Sequence, residues 1–163
     1  MNRTFKFNTL YIGILLLTLA FSSCTSSKQL AIQKSKTAQL SRKLGFTVNR
    51  KDDLPLLEEV SRWLGTPYRY GGTTRTGADC SGFVGAVYKN VYHKSLQRTV
   101  VNIYNKDCQR IGKHRLKPGD LVFFNFSKRK KRTLNHMGIY LKNGYFAHAS
   151  TSKGVMVNHL SEN

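Results

Sequence analysis

Residues 64–84 read LGTPYRYGGTTRTGADCSGFV and decide how the rest of the sequence is interpreted. The segment begins as a loop with glycines and aromatic residues, and a helix is predicted to start at Asp79 or Cys80. The unpaired N–H groups and the dipole of a helix N-terminus favour a thiolate, so we expect a lowered pKa for Cys80. Gly82 is expected to let the backbone approach a ligand closely. The alternative is a cysteine that only fills the core.

A nucleophilic cysteine needs a base, and two histidines lie in predicted strands further along the chain. His136 begins the run HMGIYL, and His148 lies within YFAHAS. Asn143-Gly144 between them is a strong hairpin signal, so the two strands are expected to pair. The position mirroring His136 is close to residue 151, which puts His148 nearby but not directly opposite. One histidine can then accept the thiol proton while the other orients its ring, although each alone also fits a structural role.

The order of the predicted elements indicates an α+β fold in which helices precede an antiparallel sheet. Asp53 and Pro55 mark the start of one helix and Gly65 marks its end. Apolar spacing predicts which residues of the helices are buried and where the strands lie. The residues expected in the core are Leu56, Leu57, Val60, Trp63, Leu64, Phe83, Val84, Val87, Tyr88 and Val91. The expected strands are Leu121–Phe126, His136–Leu141, Tyr145–Ala149 and Val155–Leu160, with a short helix over Thr99–Asn105.

The N-terminus has the pattern of an export signal. Arg3 and Lys6 precede an apolar run from Leu10 to Phe21, which is shorter than the roughly 20 residues that span a membrane. Two serines then lead to Cys24, an order that resembles a bacterial lipoprotein signal in which this cysteine is lipidated and becomes the first mature residue. The alternative is an ordinary signal peptide with an incidental cysteine.

These features divide the sequence into three parts. We expect a lipoprotein signal peptide over residues 1–23 and a polar tether over residues 24–42, in which a weak helix is compatible with the composition. The folded domain is expected over residues 43–163.

Lys and Arg number 27 against 8 Asp and Glu, which gives a net charge of +19 and predicts anionic surroundings. The basic run SKRKKR at residues 127–132 fits either a nucleic-acid contact or a solvated loop. Because the chain carries an export signal, we expect anionic wall polymers or lipids as partners and no nucleic acid. Three cysteines are too few for a disulfide scaffold, and we find no zinc-ligand spacing or phosphate-binding loop.

Three sequence blocks resemble, in the right order, the NlpC-type family of papain-like peptidoglycan endopeptidases. They read LGTPYRYGGTTRTGADCSGFV, KPGDLVFF and HMGIYLKNGYFAHASTSKGV, and they cover most of residues 54–158. The resemblance implies a papain-like α+β core that needs no metal or cofactor. It implies Cys80 as the nucleophile, His136 as the general base and His148 as the orienting residue. The residues it implies as substrate contacts are Tyr70, Asp79 and Ser81.

The resemblance also implies an exported hydrolase, anchored to a bacterial membrane through Cys24, that cleaves peptide bonds in stem peptides or crosslinks of peptidoglycan. The family includes enzymes that cut after γ-D-Glu and enzymes that cut the D-Ala–diaminopimelate crosslink, and a compact lipoprotein resembles the second kind. A catalytically inactive wall-binding lipoprotein on the same scaffold is the alternative. Family members continue past the last strand with an aromatic, Arg-containing stretch, so we expect a domain truncated at its C-terminus.

Overall fold

The computed structural model describes residues 9–126 and 133–162, with side chains from residue 27 onward. The elements in chain order are α1 (Thr9–Leu44), α2 (Leu54–Trp63), β1 (Thr73–Thr74), β2 (Gly77–Ala78), α3 (Cys80–Tyr92), α4 (Val100–Asn102) with a π-turn over Ile103–Asp107, a 3₁₀ turn at Lys113–Arg115, β3 (Leu121–Phe124), β4 (His136–Lys142), β5 (Tyr145–Ser150), β6 (Gly154–His159) and a 3₁₀ turn at Leu160–Glu162. Strands β3 to β6 form one antiparallel sheet in sequence order, preceded by the helices, so the predicted α+β fold is confirmed. The basic run 127–132 lies outside the described residues.

Helices α2 and α3 begin where the sequence places their caps. The carboxylate of Asp53 accepts a hydrogen bond from the N–H of Leu56 at 3.1 Å, and proline occupies the first turn of α2. The apolar face of α2 is buried, and Trp63 packs edge-to-face on Phe83 of α3 with ring centroids 5.7 Å apart. α3 in turn packs on β4 and β5, which holds its first turn against the sheet.

Helix α1 includes the segment predicted as a tether, for which a weak helix was compatible with the composition. Residues 24–42 lie within α1, and its last turns pack on the domain through the buried residues Thr37, Leu40 and Leu44. Their spacing of three and four residues forms one narrow buried stripe, which is enough to attach a helix whose exposed part is polar. The packed part of the chain therefore begins before residue 43. Among the helices of the described residues, none has a stretch long and apolar enough to cross a membrane.

The β4–β5 hairpin has the predicted turn but a different register. The strands shift by one residue near the end of β4, so that Gly138 pairs with His148. Counted from the turn without this β-bulge, His148 would pair with Ile139, and its side chain would lie on the sheet face opposite to His136. The bulge therefore puts the two histidine side chains on one face of the sheet.

Candidate active site

Cys80 is the first residue of α3, with Asp79 as the N-cap whose carboxylate accepts from the N–H of Gly82. The thiol is buried, with the residue only 6% exposed. The N–H of Met137 in β4 donates to its sulfur, as do N–H groups of the helix start. Since Met137 directly follows His136, the packing of α3 on β4 brings Cys80 to the strand end that carries the predicted base.

The two predicted histidines form a buried hydrogen-bonded pair. Nε2 of His136 lies 2.8 Å from Nδ1 of His148, with the rings nearly perpendicular. The pair continues outward, because Nε2 of His148 lies 3.0 Å from Oδ1 of Asn158 and the amide of Asn158 donates to Glu162 at 2.9 Å. Both histidines are less than one-tenth exposed, so these contacts hold polar groups that water does not reach.

Burial determines the protonation of this site at rest. It lowers the pKa of His136 to about 4, with a further contribution from the charge on His148. Burial also lowers the pKa of His148, against the opposing hydrogen bond with Asn158. For Cys80, burial and the charge of Asp79 raise the pKa, although backbone N–H groups act to lower it. The predicted lowered pKa of Cys80 is therefore wrong: the helix N-terminus acts in the expected direction, but burial outweighs it. Thiol and imidazole are both neutral at rest.

Asp79 and Ser81, predicted as substrate contacts, lie at the site in a network centred on Arg98. The guanidinium of Arg98 binds both oxygens of Asp79, at 3.0 and 2.7 Å, and donates to Oγ of Ser81 at 2.8 Å. Asp79 also accepts from the N–H groups of Gly71 and Gly82. Both carboxylate oxygens are thus occupied, while the Arg98 side chain is 45% exposed at the edge of the site.

Sequence reasoning missed Arg98. It lies 19 residues after Asp79 in a loop with no motif around it. The hydrogen bonds from Arg98 and from backbone N–H groups hold the pKa of Asp79 below its usual range, although burial acts to raise it. The one signal available in the sequence was that a capping carboxylate at a buried helix start needs a cationic partner.

Gly82 lets another segment of the backbone approach closely. A Cβ at this position would lie 2.0 Å from the carbonyl oxygen of Gly72, in the loop before α3. The N–H of Asp79 donates to this same carbonyl at 3.1 Å. The missing side chain therefore lets the preceding loop pack directly on the start of α3, which fixes the position of Cys80.

The two tyrosines of the loop differ in their environment. Tyr70, predicted to line the cleft, is 91% exposed, so it has no packed wall around it. Tyr68 is half-buried, and burial together with charges on Cys80 and Asp79 raises its pKa. Nothing in the sequence distinguishes the roles of these two tyrosines, which lie only two residues apart.

Two further predicted features concern other cysteines and metals. Cys24 lies within α1, but its side chain is outside the described part of the chain. Cys108 is free and half-buried. Within residues 9–126 and 133–162, no three His, Cys, Asp or Glu side chains are grouped in a way that would hold a metal ion.

A buried cysteine at the start of a helix that packs on the two strands carrying a hydrogen-bonded histidine pair has the layout of a thiol-dependent hydrolase. The model of the NlpC/P60 family matches residues 65–163, and the chain belongs to this family.

Relatives with known names agree with this assignment. The chain is 46% identical over 105 residues to the probable endopeptidase NlpC of Escherichia coli K12, covering 64% of this chain and 66% of that protein. It is 36% identical over 107 residues to the murein DD-endopeptidase MepS/murein LD-carboxypeptidase of the same strain, covering 66% and 54%. It therefore spans less than two thirds of each of these relatives.

A solved structure supports the fold independently. The crystal structure of the NlpC/p60 domain of the peptidoglycan hydrolase SagA aligns with a TM-score of 0.58 at 28% identity. The alignment covers 66% of this chain and 89% of that domain. The helices followed by a four-stranded antiparallel sheet are thus the NlpC/P60 fold.

Proposed function

We propose that the protein is an exported cell-wall hydrolase, a cysteine endopeptidase that cleaves peptide bonds in peptidoglycan. The observation that carries this proposal is a buried thiol at a helix start, Cys80, whose sulfur accepts from the N–H of the residue after His136, together with the 2.8 Å bond between His136 and His148. Membership of the NlpC/P60 family supports the class of reaction. The names of the relatives, endopeptidase and murein DD-endopeptidase, support peptidoglycan as the substrate.

In the proposed reaction Cys80 gives its proton to Nδ1 of His136 while its sulfur bonds to the carbonyl carbon of the scissile amide. The imidazolium then passes this proton to the amine nitrogen as the C–N bond breaks, which leaves a thioester on Cys80. His136 next takes a proton from a water molecule as the water oxygen attacks the thioester carbon. The imidazolium returns this proton to the sulfur as the C–S bond breaks, which releases the carboxylic acid and restores the thiol of Cys80 and the neutral ring of His136. His148 holds the ring of His136 throughout by its bond to Nε2.

Neutral resting groups suit this sequence of steps. Because the pKa of His136 is about 4, its ring is neutral at neutral pH and one ring nitrogen is free to accept the thiol proton. Because the pKa of Cys80 is raised, the proton stays on sulfur until a carbonyl carbon is in place. Proton transfer and attack are therefore coupled in the complex with substrate.

The helix side of the site supplies charge for the substrate. We propose that Arg98 faces carboxylates of the stem peptide, that Asp79 acts mainly by holding Arg98 and the loop, and that Ser81 contacts the peptide. The net charge of +19 favours association with the anionic polymers of the envelope. We propose the D-Ala–diaminopimelate crosslink as the bond, because one relative is named a murein DD-endopeptidase.

The substrate and the bond are tested on defined muropeptides. A crosslinked dimer and the matching uncrosslinked monomer are incubated with the purified full chain, and the products are identified by mass spectrometry. We expect the dimer to give two monomers while the monomer stays intact. Cleavage inside the monomer stem would contradict the proposed bond. An intact dimer and monomer would favour the inactive wall-binding alternative.

We further propose that residues 1–23 are removed as a signal peptide and that Cys24 is lipidated, which anchors the enzyme to a membrane facing the cell envelope. The short apolar run that ends in Ser22-Ser23-Cys24 supports this. Cys24→Ala is expected to move the protein from the membrane fraction to the soluble fraction, whereas Cys108→Ala leaves its distribution unchanged. An unchanged distribution of the Cys24 variant would contradict the anchor.

A further inference from the structure

Asn158 connects the buried histidine pair to the protein surface. It lies on β6, where it pairs with Phe146 of β5, two residues from His148. Its Oδ1 lies 3.0 Å from Nε2 of His148, and its Nδ2 donates to Oε2 of Glu162 at 2.9 Å. Both ends of the carboxamide are therefore engaged, one by a ring nitrogen and one by a carboxylate.

The chemistry of these groups gives the contacts one direction. The carboxylate of Glu162 only accepts hydrogen bonds, so it selects the NH₂ end of the Asn158 amide and turns the oxygen toward His148. An amide oxygen also only accepts, so Nε2 of His148 must carry the proton. A neutral His148 protonated at Nε2 has a lone pair at Nδ1.

The proton on His148 also determines the proton position on the proposed base, His136. The lone pair at Nδ1 of His148 accepts from Nε2 of His136, 2.8 Å away, so His136 carries its single proton on Nε2. Nδ1 of His136 is then the unprotonated nitrogen. The opposite proton order would place two lone pairs against each other at the contact between His148 and Asn158.

Burial makes this proton order depend on protein groups. His136 and His148 are 8% and 9% exposed, so water does not replace Asn158 as the acceptor for the inner pair. Burial also keeps both rings neutral, as their lowered pKa values indicate. A neutral imidazole has one proton and two possible positions for it, and here a neighbouring group has to select between them.

We infer that Asn158 is a positioning residue for the proposed reaction: its carboxamide, oriented by Glu162, fixes the proton order of His148 and His136 so that His136 presents an unprotonated Nδ1 to Cys80. This inference rests on the proposed function for its role in catalysis. The proton order itself is a property of the free protein and is measured without a substrate.

The first experiment reads the proton positions directly. Long-range ¹H–¹⁵N spectra of the full chain labelled at histidine distinguish protonation at Nδ1 from protonation at Nε2, and single histidine variants assign the signals. We expect His136 and His148 both to be protonated at Nε2 in the wild type. In Asn158→Leu, which removes the acceptor, we expect His148 to become a mixture of both forms. An Nδ1-protonated His148 in the wild type, or unchanged spectra in Asn158→Leu, would overturn the inference.

The second experiment measures kcat and KM on the muropeptide dimer. Asn158→Leu is expected to lower kcat by about fivefold to tenfold, the worth of one buried hydrogen bond, with KM within about twofold. Asn158→Asp keeps an acceptor of the same shape, and the exposed Glu162 is free to swing away from the new charge. At about pH 8 we expect this variant to keep the Nε2 form and to stay within about threefold of wild-type kcat. Equal losses in both variants would overturn the inference.

Asn90→Leu is the matched control. Asn90 lies on α3, away from the histidines, and the substitution removes the 2.7 Å hydrogen bond from its side chain to Glu59. It is expected to leave the histidine spectra and kcat unchanged, and circular dichroism and thermal melting check folding in all variants. Failure of the wild type to cleave any muropeptide would contradict the proposed function, while the spectra would still decide the proton order.

Discussion

The two sides of the site are held by different kinds of interaction. On the sheet side, His136 and His148 are buried, neutral and joined ring to ring at 2.8 Å. On the helix side, Asp79 and Arg98 form a two-pronged ion pair whose cation is 45% exposed. The buried side thus has groups suited to moving a proton, and the charged side has groups suited to holding an anionic peptide.

This difference has a physical reason. Inside the protein an unpaired charge is costly, so the histidines remain neutral and Cys80 keeps its proton. At the edge of the site the charge of Arg98 is paired and partly solvated, which makes an ion pair tolerable there. Variants on the two sides are therefore expected to change different kinetic constants.

The largest expected effect separates the two histidines. His136→Ala removes the proposed base, and the loss of a general base commonly costs about 10²–10⁴ in rate. His148→Asn is expected to retain measurable activity, because a carboxamide oxygen still accepts from Nε2 of His136. Both are measured as kcat/KM on one purified muropeptide, with folding checked by circular dichroism. An active His136 variant beside an inactive His148 variant would reverse the two roles.

Variants of Tyr68 and Tyr70 test whether the loop before α3 takes part in the reaction. We expect the Tyr68 hydroxyl to stabilise charge on the substrate carbonyl, so Tyr68→Phe is expected to lower kcat by about 10², as for the loss of one oxyanion donor. Tyr70→Phe is the matched control and is expected to stay near wild type, since Tyr70 is 91% exposed. The reverse order of effects would restore Tyr70 as the functional residue.

The pH profile tests the neutral resting state. The base must be unprotonated, and a pKa of about 4 for His136 means that activity is retained down to about pH 5 and lost as the pH falls through 4. An ordinary histidine, with a pKa of about 6.5, would already reduce kcat/KM about 30-fold at pH 5. The profile of kcat/KM against pH reads the acid limb directly. A limb near pH 6.5 would contradict the buried neutral pair.

The smallest expected effect lies on the charged side. Arg98→Leu is expected to raise KM by about tenfold, roughly the worth of one hydrogen bond to a charged group, with kcat changed less. Arg62→Leu is the matched control, because Arg62 also pairs with a carboxylate, Glu59, on a different face of the molecule. A loss confined to kcat in the Arg98 variant would contradict the expectation that the charged side of the site binds the substrate.

The sequence predicts the parts of this site that depend on local signals. Asp79 and Cys80 at a helix start follow from capping preferences, and the pairing of the strands with His136 and His148 follows from the Asn143-Gly144 turn. The apolar spacing of α2 and α3 predicts most of their buried faces for the same reason, whereas Leu64, Tyr88 and Val91, also expected in the core, are only partly buried. These features involve residues close in the chain.

Features that depend on distant packing were not predictable. The bulge in β4 is not marked in the sequence of the hairpin, yet it decides which face carries His148. The raised pKa of Cys80 comes from burial under the whole domain, which outweighs the local helix N-terminus. Arg98 and Asn158 reach the site from loop and strand positions with no motif of their own.

The most direct test of the central claim compares three forms of the full chain on purified peptidoglycan, with mass spectrometry of the released muropeptides. The account predicts that the wild type and Cys108→Ala, which removes the half-buried free cysteine, release the same products. It predicts that Cys80→Ala, with its fold intact by circular dichroism, releases none. Product release by Cys80→Ala at the wild-type rate would show that the buried thiol at the start of α3 is not the nucleophile.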